Sequence, residues 1–412
     1  MHILFVVGKF PELTFIFRTI TAIAAHGHRV TVAARKPGNW QHVEDQLPLP
    51  ETLKVVYLLP DSDLRDTRAL FKLSTGLLRH TMRSPLAAWR LWRQCGREPE
   101  LRTDRLRKYI RYVPFSGIKA DVIQFDFLMT EMIYPYLTTL LDAPTVISCR
   151  GSDIHTLEHK ALGKANDRIE SVLRATIVHC VSDEMATEVH RLTDRTEYVY
   201  VNRSAINFRE IRDQLPNVAD HVPLIIMVGR LTWIKGVDYL LAAFARLKAE
   251  NVLFKAKIIG DGELYSFMRF SIEDLGLQDC VELCGRVSPS QVLNELQQAD
   301  VFVLSSHEEG ISNAALEAMS VGLPIVTTNA GGMAEAVTDG VEGFVVPVRD
   351  IPALADRMKR LLQDSALRLR MGQAARARIE ADFTLERQVR VFDEIYAAAR
   401  SRFQIASSHA AK

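Results

Sequence analysis

Two glutamates eight positions apart, Glu309 and Glu317, are a pair whose type and spacing could do chemistry. Between them Gly310, Ile311, Ser312 and Asn313 lead into an Ala- and Leu-rich run ending at Met319, which reads as a loop entering a helix. Ser312 suits the N-cap of that helix, and a helix start directs free backbone N–H groups at whatever lies before it, favouring an anion. At about 1.5 Å of rise per residue the carboxylates stand on the order of 12 Å apart, wider than the roughly 5–9.5 Å of a glycosidase pair. They suit opposite ends of one elongated ligand, one accepting hydrogen bonds from a sugar and the other from a ribose. A satisfied helix glutamate and a solvated loop charge would look the same in sequence.

Upstream, the apolar run Leu224–Val228 opens into Gly229, Arg230 and Leu231, then Lys235 and Gly236, before a helical pattern from Val237 to Leu247. Two cations in a strand-to-helix loop, with glycines allowing close backbone approach, fit a diphosphate. A solvated basic loop has the same composition. Asp261 and Gly262 sit in a Gly-Asp-Gly that fits a strand-to-helix turn. Near the middle of the chain, Ser148–Ile154 places Arg150 and Asp153 just after a strand. Arg150 stays protonated near neutral pH and cannot be a general base, so it either hydrogen-bonds a ligand or pairs with Asp153 to shape its loop. Nothing in the sequence supplies a convincing nucleophile with a base and an orienting partner.

These residues need elements to hold them. At 412 residues the chain suits two domains of roughly 200 residues each. Short β-rich runs alternate with helical patterns from Ile3–Val7 to Tyr198–Val201, and again from Leu224–Val228 to Phe344–Val346. Such alternation predicts two doubly wound, Rossmann-like parallel sheets with helices on both faces, facing each other across a cleft. The expected division is residues 1–205, a connection at 206–222, a second domain at 223–383, and a final helix at 384–412 crossing back to the first. Val389, Phe392, Ile395 and Tyr396 share one face of that helix. In doubly wound sheets ligands bind beyond the carboxyl ends of the strands, and the candidate residues all follow strands.

Apolar residues make up 48% and charged residues 25% of the chain, an ordinary globular balance, and the net charge of +1 gives no general pull toward nucleic acid. Five cysteines, Cys95, Cys149, Cys180, Cys280 and Cys284, fit a reduced, cytoplasmic compartment. Cys280 and Cys284 lack a second ligand pair at zinc-site spacing, so no metal is expected. The opening run His2–Val7 lacks a basic leader, and no stretch approaches the roughly 18 apolar residues of a membrane span.

Taken in order and spacing, Val228–Leu247, Ile258–Leu264, Gly285–Val287, Ser305–Met319 and Gly322–Pro347 closely resemble the family 4 retaining glycosyltransferases, with Glu309 and Glu317 on that family's E-x7-E signature. The resemblance implies the GT-B fold and a nucleotide-sugar donor, UDP- or GDP-linked, used as substrate with neither cofactor nor metal. It implies that Arg230 and Lys235 hold the diphosphate, Glu309 the transferred sugar and Glu317 the ribose. Gly310, Ile311 and Ser312 would add backbone contacts, while Arg286 and Val287 would face the nucleobase. In the first domain, Phe10, Pro11, Leu13, Thr14, Phe15 and Ile16, then Gly27, His28 and Val30, resemble the branch that builds exopolysaccharides of the colanic-acid type. The Ser-Glu pair that usually precedes Thr-Phe-Ile is missing, and Arg150 stands where members often carry histidine. Phe10, Pro11, Arg150 and Asp153 are the acceptor-side candidates.

The implied route is front-face attack by an acceptor hydroxyl, a phosphate oxygen of the donor taking its proton. The implied acceptor is a glycan or lipid-linked oligosaccharide. A GT-B phosphorylase would need a pyridoxal-phosphate lysine and a longer chain. A nucleotide-sugar epimerase and a non-catalytic nucleotide-sugar binder share the architecture, and turnover of a nucleotide sugar separates an enzyme from the binder.

One further segment is strongly polarised. From Arg65 to Arg111 thirteen basic residues face four acidic ones, a local excess of about +9 in a chain of +1. Leu70, Phe71, Leu77, Leu78, Met82, Leu86, Trp89, Leu91 and Trp92 are interleaved with them, a pattern that suits an anionic lipid interface such as the inner face of the plasma membrane. A helical pair packing its apolar face on its own domain would give the same pattern. Several basic residues at about 1 kcal/mol each would suffice for reversible attachment. Co-sedimentation with anionic liposomes, absent with neutral ones and lost at high salt, is the expected outcome; binding indifferent to lipid charge would defeat the idea.

Overall fold

The computed structural model describes residues 1–11, 15–36, 49–58, 89, 92–93, 109–115, 117–154, 162–206 and 221–410. Most of the basic segment 65–111 lies outside them, as do Leu13, Thr14 and Cys95. Of that segment Trp89 and Trp92 are described and exposed, with the Arg93 guanidinium 5.4 Å above the Trp89 ring.

Two wholly parallel sheets form. The first runs in the order β3-β2-β1-β4-β5-β6-β7, from β1 (His2–Lys9), β2 (Arg29–Arg35), β3 (Leu53–Tyr57), β4 (Val122–Phe125), β5 (Thr145–Cys149), β6 (Ile177–Cys180) and β7 (Val199–Val201). The second runs β10-β9-β8-β11-β12-β13, from β8 (Leu224–Val228), β9 (Lys255–Ile259), β10 (Val281–Gly285), β11 (Val301–Leu304), β12 (Ile325–Thr328) and β13 (Gly343–Val346). Buried on both faces, the strands read as continuous apolar runs rather than alternating ones. The chain order reverses at β1/β4 and at β8/β11, the two crevices where such sheets bind ligands.

Each sheet separates two apolar cores. Met227, Phe244 and Met358 pack in the core on one face of the second sheet, and Phe302, Met319 and Ile379 in that on the other. In the first lobe one core gathers Tyr112, Phe125 and Met185. The other joins Phe5, Phe17 and Ile20 to Val389, Phe392, Ile395 and Tyr396 of the last helix, Leu385–Ala410. That helix therefore belongs to the first lobe by packing, and each large buried side chain on its face contributes about 1.5–3 kcal/mol to holding it there. Ile206 is buried beside Ile379 and Phe383 in the second lobe, and its N–H donates to the Phe383 carbonyl at 3.1 Å. The outward and returning crossings between lobes thus touch.

A buried polar chain runs into this crossing. Gln124 donates to the Ser148 hydroxyl at 2.9 Å, and Ser148 lies 2.7 Å from His179 Nδ1. His179 Nε2 lies 2.8 Å from the Asn202 carbonyl, which can only accept. The proton is therefore on Nε2, and Ser148 donates to Nδ1. Asn202 donates in turn to the Gln388 carbonyl of the last helix. Full burial holds the His179 pKa down to about 3, with Arg150 adding to that and the Asn202 carbonyl opposing it.

A histidine whose folded pKa lies below its unfolded value near 6.5 contributes stability that is present above pH 6.5 and lost as pH falls toward 3. His179→Gln, which can keep both hydrogen bonds, should narrow the difference in melting temperature between about pH 7.5 and about pH 5. An unchanged difference would exclude His179 as its source.

Candidate functional site

The β8/β11 crevice is built by close backbone contacts. After β8, Leu231 N–H donates to the Asp261 carbonyl at 3.0 Å, pinning the loop to the one after β9. Gly262 N–H donates to the Asp261 side chain, so this Gly-Asp-Gly is a turn former. A single 3-10 turn, Trp233–Lys235, ends at Gly236, whose φ of 58° is left-handed and whose missing Cβ leaves room for the Ser305 carbonyl. The Ser305 hydroxyl donates to the carbonyls of Lys235 and Gly236, at 3.0 and 2.9 Å. Lys235 is thereby fixed between the loops after β8 and β11.

Its ammonium makes an ion pair with Glu309, which also accepts from the Ser306 hydroxyl at 3.0 Å. Ser312 caps the helix Asn313–Ser320, accepting from Ala315 N–H at 3.4 Å, and Gly310, Ile311 and Ser312 are buried ahead of it. Arg230 and Arg286 are exposed, and Val287 is half-buried against the core beneath. Glu317 is on the helix, and its carboxylate is ion-paired at 3.0 Å with Arg18 of the first lobe.

The two lobes meet at these same loops. A Cβ on Gly151 would lie 3.0 Å from Gly310 N, and one on Gly310 would lie 2.9 Å from the Val181 side chain. Gly332 is tighter, with room for a Cβ denied by the Gly310 carbonyl and by Ser182 Cβ, each at 2.6 Å. Beside it Glu335 accepts from Asp183 N–H at 3.0 Å and Glu184 N–H at 2.9 Å, capping the helix Asp183–Thr193 of the other lobe. Arg203, in the outward crossing, donates to the same carboxylate at 2.8 Å.

On the first lobe, Arg150 pairs with a partner other than the one expected. Its guanidinium bonds Asp126 at 2.9 Å, while Asp153 accepts only its backbone N–H. Parallel pairing of β4 with β5 brings the loop after Phe125 beside Arg150, a neighbour sequence spacing cannot show. Phe15 and Phe127 flank the guanidinium at 4.4 and 5.5 Å, and stacked, paired arginine is held rigidly. Burial raises the Asp153 pKa to about 6 despite hydrogen bonds from Arg150 and Leu128 N–H. Asp153 is 2% exposed and Phe10 is 1% exposed, with the Phe10 ring stacked on Phe17 at 5.5 Å. Both serve the interior, and Pro11 is buried as well, so Arg150 alone of the acceptor-side candidates keeps some exposure.

The family described as "Glycosyl transferases group 1" matches residues 208–378, which span this crevice. The chain carries a group 1 glycosyltransferase domain. An amylovoran biosynthesis glycosyltransferase of Erwinia amylovora is 29% identical over 96% of this chain and 99% of its own length. A putative colanic acid biosynthesis glycosyltransferase of Salmonella typhimurium is 29% identical over 87% of this chain and 90% of its own. Among solved structures, an Anabaena protein in complex with UDP and glucose matches with TM-score 0.71 at 18% identity, over 97% of this chain and 100% of that one. A sucrose-phosphate synthase from Thermosynechococcus elongatus reaches TM-score 0.73 at 17% identity, over 96% and 98% of the two chains. These neighbours share the GT-B fold.

Three residues of this crevice carry no signal in sequence. Arg18 reads as an ordinary polar position of an amphipathic helix, and Glu335 as one in a short turn; each acquires its partner only when the lobes meet. Ser306 is visible only as a neighbour of Glu309. Lys235→Ala and Arg230→Ala should each cut turnover roughly 100-fold or more by removing one stabiliser of a departing diphosphate, far more than either alters folding. Glu309→Gln should also impair transfer. Steady-state kinetics with circular dichroism controls would check this, and near-normal turnover in both cation variants would sink the assignment.

Proposed function

We propose that this glycosyltransferase moves a hexosyl unit, with retention, from a UDP- or GDP-sugar to a hydroxyl of a glycan or lipid-linked glycan in exopolysaccharide synthesis. The observation that carries this reading is the meeting of Lys235, Glu309 and the helix start after Ser312 at the β8/β11 crevice. A cation and a capped helix N-terminus stabilise charge that grows on a leaving diphosphate, and a carboxylate orients the hydroxyls of a sugar. The UDP-bound Anabaena neighbours support a UDP-linked donor, and the names of the two bacterial relatives support an exopolysaccharide acceptor.

In this mechanism the acceptor hydroxyl attacks from the face that the diphosphate leaves, its proton passing to a donor phosphate oxygen. Lys235 and Arg230 neutralise the departing group, Glu309 holds the sugar, and Glu317 holds the ribose. Proximity and electrostatics then supply the acceleration without a protein nucleophile. Arg150, rigid and positively charged on the facing lobe, orients acceptor or phosphate rather than taking a proton. Two cations and a helix start make a metal unnecessary at the phosphates. The proposed place of action is the cytoplasm, at the inner membrane face where segment 65–111 engages anionic lipid; no helix among the described residues is long and apolar enough to cross a membrane.

A thermal-shift screen against UDP-, GDP- and ADP-sugars should show a selective rise with a UDP- or GDP-sugar, since a ligand of the folded state raises its apparent stability. Turnover of that donor should survive EDTA and yield a product of unchanged anomeric configuration by NMR. Loss of activity on chelation, restored by magnesium or manganese, would overturn metal independence, and an inverted product would overturn retention.

A further inference from the structure

Glu317, assigned above to the donor ribose, is ion-paired with a cation from the opposite lobe. Arg18 Nη2 stands 3.0 Å from Glu317 Oε1, and both side chains are largely withdrawn from solvent, at 26% and 33% exposure. Arg18 lies on the helix Phe15–Ala25, which follows β1 at the first lobe's own switch point. Phe17 and Ile20 on either side of it are buried, so the helix is a fixed mount for a long side chain. Arg18 Nε is buried with no hydrogen-bond partner among the described residues. A guanidinium has five N–H donors arranged as a planar fork matched to phosphate, so this one is under-used.

The second ion pair in the crevice, Lys235 with Glu309, repeats the arrangement eight residues earlier on the same loop and helix. Each carboxylate proposed to accept donor hydroxyls is occupied by a cation. Nucleotide-sugar hydroxyls need acceptors and its diphosphate needs donors, so the ligand satisfies both members of each pair by an exchange of partners. A ribose carries its hydroxyls on its five-membered ring and its phosphate ester on the exocyclic C5′ attached to that ring. A guanidinium touching the carboxylate that holds the hydroxyls is therefore within a side-chain rotation of the α-phosphate.

We propose that Arg18 is a further diphosphate-binding residue, delivered across the cleft by the first lobe and exchanging Glu317 for the phosphate of the donor. The proposal rests on the donor-site reading above. It makes the first lobe part of the donor site, in a chain that lacks the Ser-Glu pair usual before Thr-Phe-Ile in the branch it resembles.

The test compares the wild type with Arg18→Gln, Arg18→Lys and Lys235→Ala. Calorimetry would give the affinity for UDP and GDP, and ligand-observed NMR that for uridine and guanosine. Arg18→Gln should weaken the preferred nucleoside diphosphate about 10-fold or more while leaving its nucleoside within about twofold, because a charge-assisted bond to phosphate is lost and the base contacts remain. Arg18→Lys, which keeps the charge but loses the fork, should recover part of the affinity. Unchanged or tighter diphosphate binding in Arg18→Gln would mean that Arg18 only occupies Glu317. Equal weakening of diphosphate and nucleoside would mean a structural role, and either result overturns the proposal. Diphosphate binding that also ignores Lys235→Ala would bring down the donor-site reading itself, whereas loss in Lys235→Ala alone overturns only the assignment of Arg18.

Discussion

Two polypeptide backbones can touch only where side chains leave room, and the cleft of this protein depends on that constraint around Gly310. Gly151 from the first lobe and Gly332 from the second press on the same residue, with ideal Cβ positions 3.0 Å from the Gly310 nitrogen and 2.6 Å from its carbonyl oxygen. Glu309, one residue earlier, takes its position from this contact, and so does the start of the helix after Ser312. Larger residues at these points would force the loops apart. Close packing transmits such a displacement instead of absorbing it. The parallel sheets bring every strand's carboxyl end to one edge, and the glycines set how near the two edges come.

Electrostatics acts on top of this steric frame. The first N–H groups of an α-helix have no partner within the helix, and those of Asp183 and Glu184 are satisfied by Glu335 from the other lobe. A carboxylate at a helix N-terminus is favoured by the dipole, and here it also draws in Arg203 from the crossing segment. Much of what meets across the cleft is polar or charged: Arg18 on Glu317, Glu335 on the helix start, Gly151 against Gly310. The large apolar contacts stay within the lobes or bind the last helix to the first one. Such a polar junction between domains is of the kind that permits relative motion.

The architecture is legible because each buried parallel strand is a short apolar run bounded by turn residues, and β8 falls on the run Leu224–Val228 that its sequence pattern suggests. Ser312 as a helix cap could be read from its neighbours alone. Side-chain partners were a different matter. Arg150 has an aspartate three residues away, yet its guanidinium goes to Asp126, twenty-four residues earlier, because β4 and β5 lie side by side. Phe10 resembles a loop residue of an acceptor site and is instead a core ring stacked on Phe17. Arg18 and Glu335 depend on surfaces that only two folded lobes create. Local pattern encodes elements; pairings across hundreds of residues follow from topology.

The distribution of charged groups also limits what can link ligand binding to lobe position. A ligand shifts a conformational equilibrium only through contacts that differ between the states it connects. Lys235, Glu309 and the helix start all belong to the second lobe, so a donor held by these alone gains no direct bond when the lobes come together. Arg18 comes from the first lobe, so any bond it makes to the donor exists only when the lobes are together. Arg150 stands on that lobe too, its loop against Gly310 through Gly151. On the proposal above, Arg18 bridges the lobes whether it bonds Glu317 or the donor, so a donor that takes it over keeps the two lobes tied across the cleft.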